Sequence, residues 1–209
     1  MIPWPPSLCP GCGLPGTGPR TGSWAPCTHC DSLQSTELDD LHISWAYAGT
    51  ASNVLHRTKF HRRPDVAARL AALAAVYPPP EQLLHDTDVF IPVPPSPRRL
   101  HTIGYDANAE MTAVLAWALK KRIEHRAIKR LSDARQIHRT AEERRALIRD
   151  SYDLGPRHRR VRDKNILLID DVRTTGATLA TTSRLLRSAG ARSVCAWVYA
   201  GRCAQLTGT

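Results

Sequence analysis

Residues able to do chemistry crowd into one stretch, Asn165 to Thr178, with the sequence NILLIDDVRTTGAT. Asp170 and Asp171 stand side by side, and Thr174, Thr175, Gly176, Ala177 and Thr178 follow closely. Paired carboxylates suit sugar hydroxyls or a magnesium ion. Small residues let a backbone close on an anion, and threonine hydroxyls add donors. The ligand implied carries a phosphate and a polyhydroxyl or metal-bound part. An ordinary capped turn is the plain alternative, but it gives no reason for two charged acids at the end of a buried strand.

The flanks say how these residues are held. Ile166, Leu167, Leu168 and Ile169, led in by Asn165, read as a buried strand. Leu179, Leu185 and Leu186 begin a helical pattern after the loop. A helix N-terminus offers N–H groups and a positive dipole end. In an open parallel sheet, ligands bind at the carboxyl ends of strands. A second strand end supports the first. Asp88 to Ile91 reads as a buried strand that stops at Pro92, Pro94 and Pro95, followed by Pro97, Arg98 and Arg99. A stiff turn with two arginines suits a diphosphate, so Val93, Pro94, Arg98 and Arg99 are its candidate holders.

Other segments fill in the scaffold. Residues 42–48 alternate as a strand, and Thr50 to Phe60 reads as a short helix. Pro64 opens a helix over Asp65 to Val76, which Pro78, Pro79 and Pro80 stop. Gly104 to Lys121 reads as one long helix and Ala127 to Leu131 as a strand. Thr140 to Glu143 forms a capping box for a short arginine-rich helix to about Arg149. Asp150 to Asp163 reads as a loop or hairpin, Ala191 to Val198 as a last strand, and the tail from Ala200 as frayed. Strand and helix alternate from residue 88 onward, which predicts an α/β fold with a parallel sheet and helices on both faces.

The amino-terminal part is different. Cys9 and Cys12, then Cys27 and Cys30, form two C-x-x-C pairs fourteen residues apart. That spacing reads as a structural zinc site of four thiolates, with His29 the alternative to one of them. A redox motif would need a βαβ frame, which is missing here. A segment this short cannot bury a useful core, so metal binding would supply its folding free energy. Two domains are therefore expected: a zinc ribbon over 1–38 and the α/β domain over 39–209. Gly11 to Gly16 matches G-x-G-x-x-G by letter, but no strand precedes it and Pro15 interrupts it.

The formal charge of the 209 residues is +10, and it is concentrated. Lys120 to Lys164 holds 16 Lys+Arg against 7 Asp+Glu, a local +9. Such a block suits polyanions, either nucleic acid or a small ligand with several phosphates. A plain solvated, arginine-rich surface accounts for it equally well. No apolar run approaches the length of a membrane span, and the first residues lack the pattern of a secretory signal, so a cytoplasmic location is expected.

The Asp170–Thr178 loop resembles the phosphoribosyl diphosphate (PRPP) signature of type I phosphoribosyltransferases. Four apolar residues, two acids and V-x-T-T-G-x-T carry the likeness. It implies that Asp170, Asp171, Val172, Arg173, Thr174, Thr175, Gly176, Ala177 and Thr178 bind PRPP. Thr174 to Thr178 would cradle the 5′-phosphate. Asp170 and Asp171 would be the catalytic pair, facing the ribose hydroxyls and the magnesium shell. In order along the chain come the four cysteines, the Lys59 region, Ile91-Pro92-Val93-Pro94, the arginine pair, Gln136, Glu143-Arg144-Arg145 and this loop. Together they resemble the ComF-type competence-associated family across almost the whole chain. Departures fall at Ile103-Gly104-Tyr105-Asp106-Ala107, where the family often has R-G-F-N-Q, and at Leu147, where it often has Asn.

The resemblance implies a magnesium-dependent glycosyltransferase that displaces diphosphate from C1 of PRPP, linked to DNA uptake in natural transformation. A mobile segment with Arg135, Gln136, His138 and Arg139, next to Arg130, would be its lid. The alternatives are a non-catalytic factor that holds single-stranded DNA and a PRPP sensor without turnover. A DNA-processing helicase or uptake machinery is the partner implied by the family alone.

Overall fold

The computed structural model describes residues 1–4, 9, 38–60, 64–76, 78–131 and 151–202. Its elements in chain order are β1 (Asp40–Ala46), α1 (Gly49–Phe60), α2 (Pro64–Val76), α3 (Glu81–Asp86), β2 (Val89–Pro92), α4 (Pro97–Ile103) and α5 (Ala107–Ala118). They continue with β3 (Arg122–Ile123), β4 (Ile128–Arg130), β5 (Tyr152–Leu154), a 3-10 turn (His158–Val161), β6 (Asn165–Arg173), α6 (Ala177–Ser188) and β7 (Ser193–Gly201). Cys12, Cys27 and Cys30 lie outside the described residues, as do Arg135, Gln136, His138, Arg139 and the helix expected from Thr140. Cys9 is described and buried.

Five strands form one sheet in the order β1-β7-β6-β2-β3, and every neighbouring pair is parallel. The continuous apolar run of β6 follows from its place inside this sheet, where both faces are covered. Ile166 and Leu168 face a core shared with Val89, Ile91, Val194, Ala196 and α6 residues Leu179 and Leu186. Leu167 and Ile169 face the other core, with Phe90, Trp197, α2 residue Leu70 and α5 residues Met111 and Leu115. Helices thus cover both faces. Each such side chain contributes about 1.5–3 kcal/mol through burial, which is what holds the helices to the sheet. Strands β4 and β5 stand apart as an antiparallel pair, with Arg130 opposite Tyr152.

Several boundaries differ from the sequence expectation. Strand β6 runs on through both acids to Arg173, because β7 runs beside it to Gly201 and keeps offering backbone partners. For the same reason the end of β7 is not frayed: Ala200 is fully buried and pairs with Val172 on one side and Trp45 on the other. The long helix expected over Gly104 to Lys121 is two helices. Gly104 adopts φ +85 and ends α4, donating its N–H to Leu100 O at 2.8 Å. That left-handed turn is an ordinary glycine C-terminal stop. Asp106 then caps α5. Pro92 closes β2, where its missing N–H costs nothing: the strand's partner on that side, β3, pairs only with Val89 and Phe90. Among the described residues, no helix is long and apolar enough to cross a membrane.

Candidate functional site

From β2 the chain moves outward to β3, then returns to place β6 on the opposite side of β2. The crossovers reverse between β2 and β6, so a crevice opens at the carboxyl ends of these two strands. A cavity of about 150 Å³ lies there. That is on the order of the space that holds one benzene-sized ring. Val93, Pro94 and Pro95 after β2 form one side, and Asp170, Asp171 and Val172 of β6 form another. Arg99, Tyr105, Asp106, Ala107, Asn108, Arg130, Tyr152 and Thr178 complete the wall.

Asn108, in the first turn of α5, ties the two strand ends together. Its Nδ2 donates to Val93 O at 2.9 Å and to Ile169 O at 2.8 Å. Val93 N also donates to Ile169 O, at 2.9 Å. The spacing between the proline turn and the acid pair is therefore set by this backbone bond together with one buried side-chain amide. Its Oδ1 is buried and accepts no hydrogen bond among the described residues. Two residues earlier, Asp106 Oδ1 accepts from Asn108 N and Ala109 N, each at 3.0 Å. This cap uses the exposed N–H groups at the start of α5.

Charged groups of both signs line the cavity. Arg99, on α4, places Nη2 4.0 Å from Asp171 Oδ2. The α4 cap sets this position: Ser96 Oγ accepts from Arg99 N, and Pro97 fills the first helical position. Asp170 is buried, and its Oδ1 accepts from Asp171 N at 2.9 Å. Burial raises the Asp106 carboxyl above the usual carboxylate range, its cap bonds and Arg99 pull it down, and Asp171 pushes it up again. Tyr152 lies under Arg130, whose guanidinium carbon is 5.2 Å from the ring centre. Burial pushes the Tyr152 phenol up to about 12, against the opposing pull of Arg130. It is a neutral hydrogen-bonding group at ordinary pH.

The hydroxyl-rich turn sits at the end of β6. Gly176 adopts φ +79 and starts α6, and Thr178 turns into the cavity wall from the first turn of that helix. A side chain at 176 would be strained in this left-handed conformation. Thr174 and Thr175 are exposed, whereas Arg173 is buried with its Nε beneath Gly176.

Of the residues singled out in the sequence, the fold brings Asp170, Asp171, Val172, Thr178, Val93, Pro94, Arg99 and Arg130 to one cavity. Arg98 is exposed on α4 and is not part of the wall. Arg130 is placed by strand β4. Tyr105, Asp106 and Ala107 belong to the wall although the sequence reading treated them only as a departure from a family pattern, and so does Asn108, which it placed only within a long helix. A signal was present: Gly104 followed by Asp106 is a helix stop followed by an N-cap. Tyr152 had no such signal, since only the β4–β5 pairing brings it over the cavity.

No protein-family model matches the chain. Among curated proteins, it is 31% identical over 196 residues to the DNA utilization protein YhgH of Escherichia coli O6:H1, a match covering 91% of this chain and 82% of that protein. It is 31% identical, with the same coverage, to the DNA utilization protein YhgH of Salmonella typhimurium. Competence protein F of Haemophilus influenzae is 26% identical over 207 residues, covering 91% of this chain and 88% of that protein. Among solved structures, the allosteric regulatory enzyme of purine biosynthesis shows a TM-score of 0.42 at 19% identity, over 63% of this chain and 25% of that one. A hypoxanthine phosphoribosyltransferase from Staphylococcus aureus shows a TM-score of 0.35 at 14% identity, over 71% of this chain and 63% of that one. Likenesses that low leave the fold resting on the strand order described above.

Proposed function

The chain belongs to the family of the DNA utilization protein YhgH, and from that kinship we propose that it is a type I phosphoribosyltransferase-like protein that binds PRPP with magnesium and serves competence-linked DNA utilization. One observation carries the reading. Asp170 and Asp171, Arg99 and the first turn of α6 meet at a single cavity, at the point where the crossovers reverse between β2 and β6. A ribosyl ring fits the cavity's size, with its hydroxyls against the two acids. Its 5′-phosphate sits at the α6 N-terminus, where backbone N–H groups and the Thr174–Thr178 hydroxyls are available. Its diphosphate faces Arg99 and the Val93–Pro95 turn.

The donor set suits magnesium. Among the described residues no group of three or more acids, histidines or cysteines could hold an ion by itself. Magnesium is commonly held by one or two carboxylates together with substrate oxygens and waters, and Asp170 and Asp171 supply that share. The bound ion would neutralise charge on a leaving diphosphate. Arg99 and Arg130 add fixed positive charge that needs no reorganisation during reaction. The proline turn, Tyr105 and Tyr152 limit water around C1.

Calorimetry with PRPP and magnesium tests this reading. Wild-type protein should bind, and Asp171→Asn should bind at least about tenfold more weakly, a loss of about 1.4 kcal/mol. No heat with wild type, or an unchanged Asp171→Asn, refutes it. Binding without diphosphate release would leave the PRPP sensor. A zinc site at Cys9, Cys12, Cys27 and Cys30 is part of the same proposal, as is its division from the domain over 39–209. About one zinc per chain by elemental analysis, lost in Cys27→Ser, is the expected result.

The exposed arginines Arg157, Arg159 and Arg162, with Lys164, favour a second reading. They lie near the amino end of β6, away from the cavity, and suit a single-stranded DNA backbone. Affinity should then fall steeply with salt, and a slope near zero would rule that contact out.

A further inference from the structure

Resting on the PRPP reading, we infer that Arg130 and Tyr152 form a preset clamp for the ligand's 5′-phosphate, closing on it against the first turn of α6. Both residues come from the antiparallel pair β4 and β5, outside the strand that carries the acid pair and the threonine turn. Side chains along a strand alternate between its two faces. Lys129 and Asp153 stand opposite each other and form a half-exposed ion pair at 3.0 Å. Their neighbours Arg130 and Tyr152, also opposite each other, turn the other way and line the cavity.

The pair is built as one unit. The Arg130 guanidinium carbon lies 5.2 Å from the centre of the Tyr152 ring, whose face attracts the cation. Tyr152 is only 6% exposed and packs with Ile128 and Val161, so the shelf under Arg130 is fixed. The Thr178 hydroxyl donates to the phenol oxygen, which ties that shelf to the first turn of α6. The phenol O–H is left available to a ligand oxygen. Arg130 Nε is buried and has no hydrogen-bond partner among the described residues. A buried donor on a charged group is costly when left unmet, and an anion in the cavity meets it.

The attachments decide which anion each arginine takes. Arg99 comes from α4 and stands 4.0 Å from Asp171. Arg130 comes from β4 and is tied to α6 through Tyr152 and Thr178. PRPP is anionic at both ends of its ribose, so Arg99 serves the diphosphate and Arg130 the 5′-phosphate. Backbone N–H groups at the start of α6 suit any small anion. A guanidinium adds a full charge and a rigid fork of donors, which favours a phosphate over an uncharged group. The clamp therefore selects a phosphorylated sugar end over a plain hydroxyl.

Two fragments of the ligand separate the two ends. Calorimetry follows PRPP binding to the full chain with magnesium, and ribose 5-phosphate, ribose and inorganic diphosphate are titrated as competitors. Wild type should take ribose 5-phosphate and ignore ribose. Arg130→Gln and Tyr152→Leu should each weaken ribose 5-phosphate about tenfold or more while diphosphate stays within about threefold. Tyr152→Phe keeps the ring under Arg130 and should lose less than Tyr152→Leu. Arg99→Gln should show the reverse pattern, with diphosphate weakened and ribose 5-phosphate kept. A general loss of structure would weaken both fragments together, so the ratio of the two is the readout. The inference is overturned if Arg130→Gln leaves ribose 5-phosphate unchanged, if both fragments weaken equally, if only diphosphate weakens, or if ribose 5-phosphate fails to compete in wild type. Failure of wild type to bind PRPP instead overturns the reading on which it rests.

Discussion

Replacing Asn108 tests how the cavity is held open, independently of any ligand. In Asn108→Leu, Val93 O loses its side-chain donor and is left buried, at a cost of about 1–3 kcal/mol. Ile169 O keeps the Val93 N–H, so its loss is smaller, about 0.5–1 kcal/mol. Removing the unpartnered Oδ1 returns roughly 1 kcal/mol. The net destabilisation is therefore about 2 kcal/mol, which for a chain of this size lowers the midpoint by about 4–8 °C. Asn108→Asp has a different signature. A carboxylate there would face two carbonyl oxygens, so its folded-state pKa would rise above the unfolded value. Below the unfolded value of about 3.9 both states are protonated and the penalty is absent. The penalty then grows as pH rises from that value to the folded pKa, and stays constant above it. Urea unfolding at pH 5 and pH 8 should show Asn108→Asp losing stability relative to wild type as pH rises, while the Asn108→Leu deficit stays constant. Equal stability of Asn108→Asp and wild type at both pH values would refute the two donated bonds.

Two further outcomes concern the frame around the site. At Gly201 a Cβ would lie 2.7 Å from the Trp4 ring and 2.8 Å from Ile43 Cδ1, so Gly201→Ala should destabilise by about 1–3 kcal/mol in urea titration. Tyr152 should remain un-ionised until about pH 12, so phenolate absorbance of the folded protein should lose a component that titrates near pH 12 in Tyr152→Phe. Because the unfolded phenol ionises near 10, Tyr152 makes wild-type stability decline as pH rises from about 10 toward 12, and Tyr152→Phe should flatten that decline.

Much of the scaffold was readable from local pattern. Four consecutive apolar residues before Asp170 announced a strand buried on both faces, and Pro64 announced a helix start, because both signals act within a few residues. Alternating strands and helices were enough to expect a parallel sheet. The acid pair and the threonine turn stood out by residue type alone, and their resemblance to a phosphoribosyltransferase loop rests on contiguous residues. Where elements end was less readable, since an end is set by the neighbour. Strand β6 continues to Arg173 only because β7 runs beside it, and the buried finish of β7 follows from β1 and β6.

What no local pattern could decide is the far wall of the cavity. Asn108 reaches Ile169 across 61 positions of chain, and Tyr152 meets Arg130 only through the pairing of β4 with β5. Such contacts depend on the order of strands in the sheet, and that order is settled by burial of both faces at once. The sequence alone thus singled out the acid pair and the threonine turn by residue type. The tertiary structure decided which of them share a cavity, and it added a third carboxylate, Asp106, from a segment that had looked only like a departure.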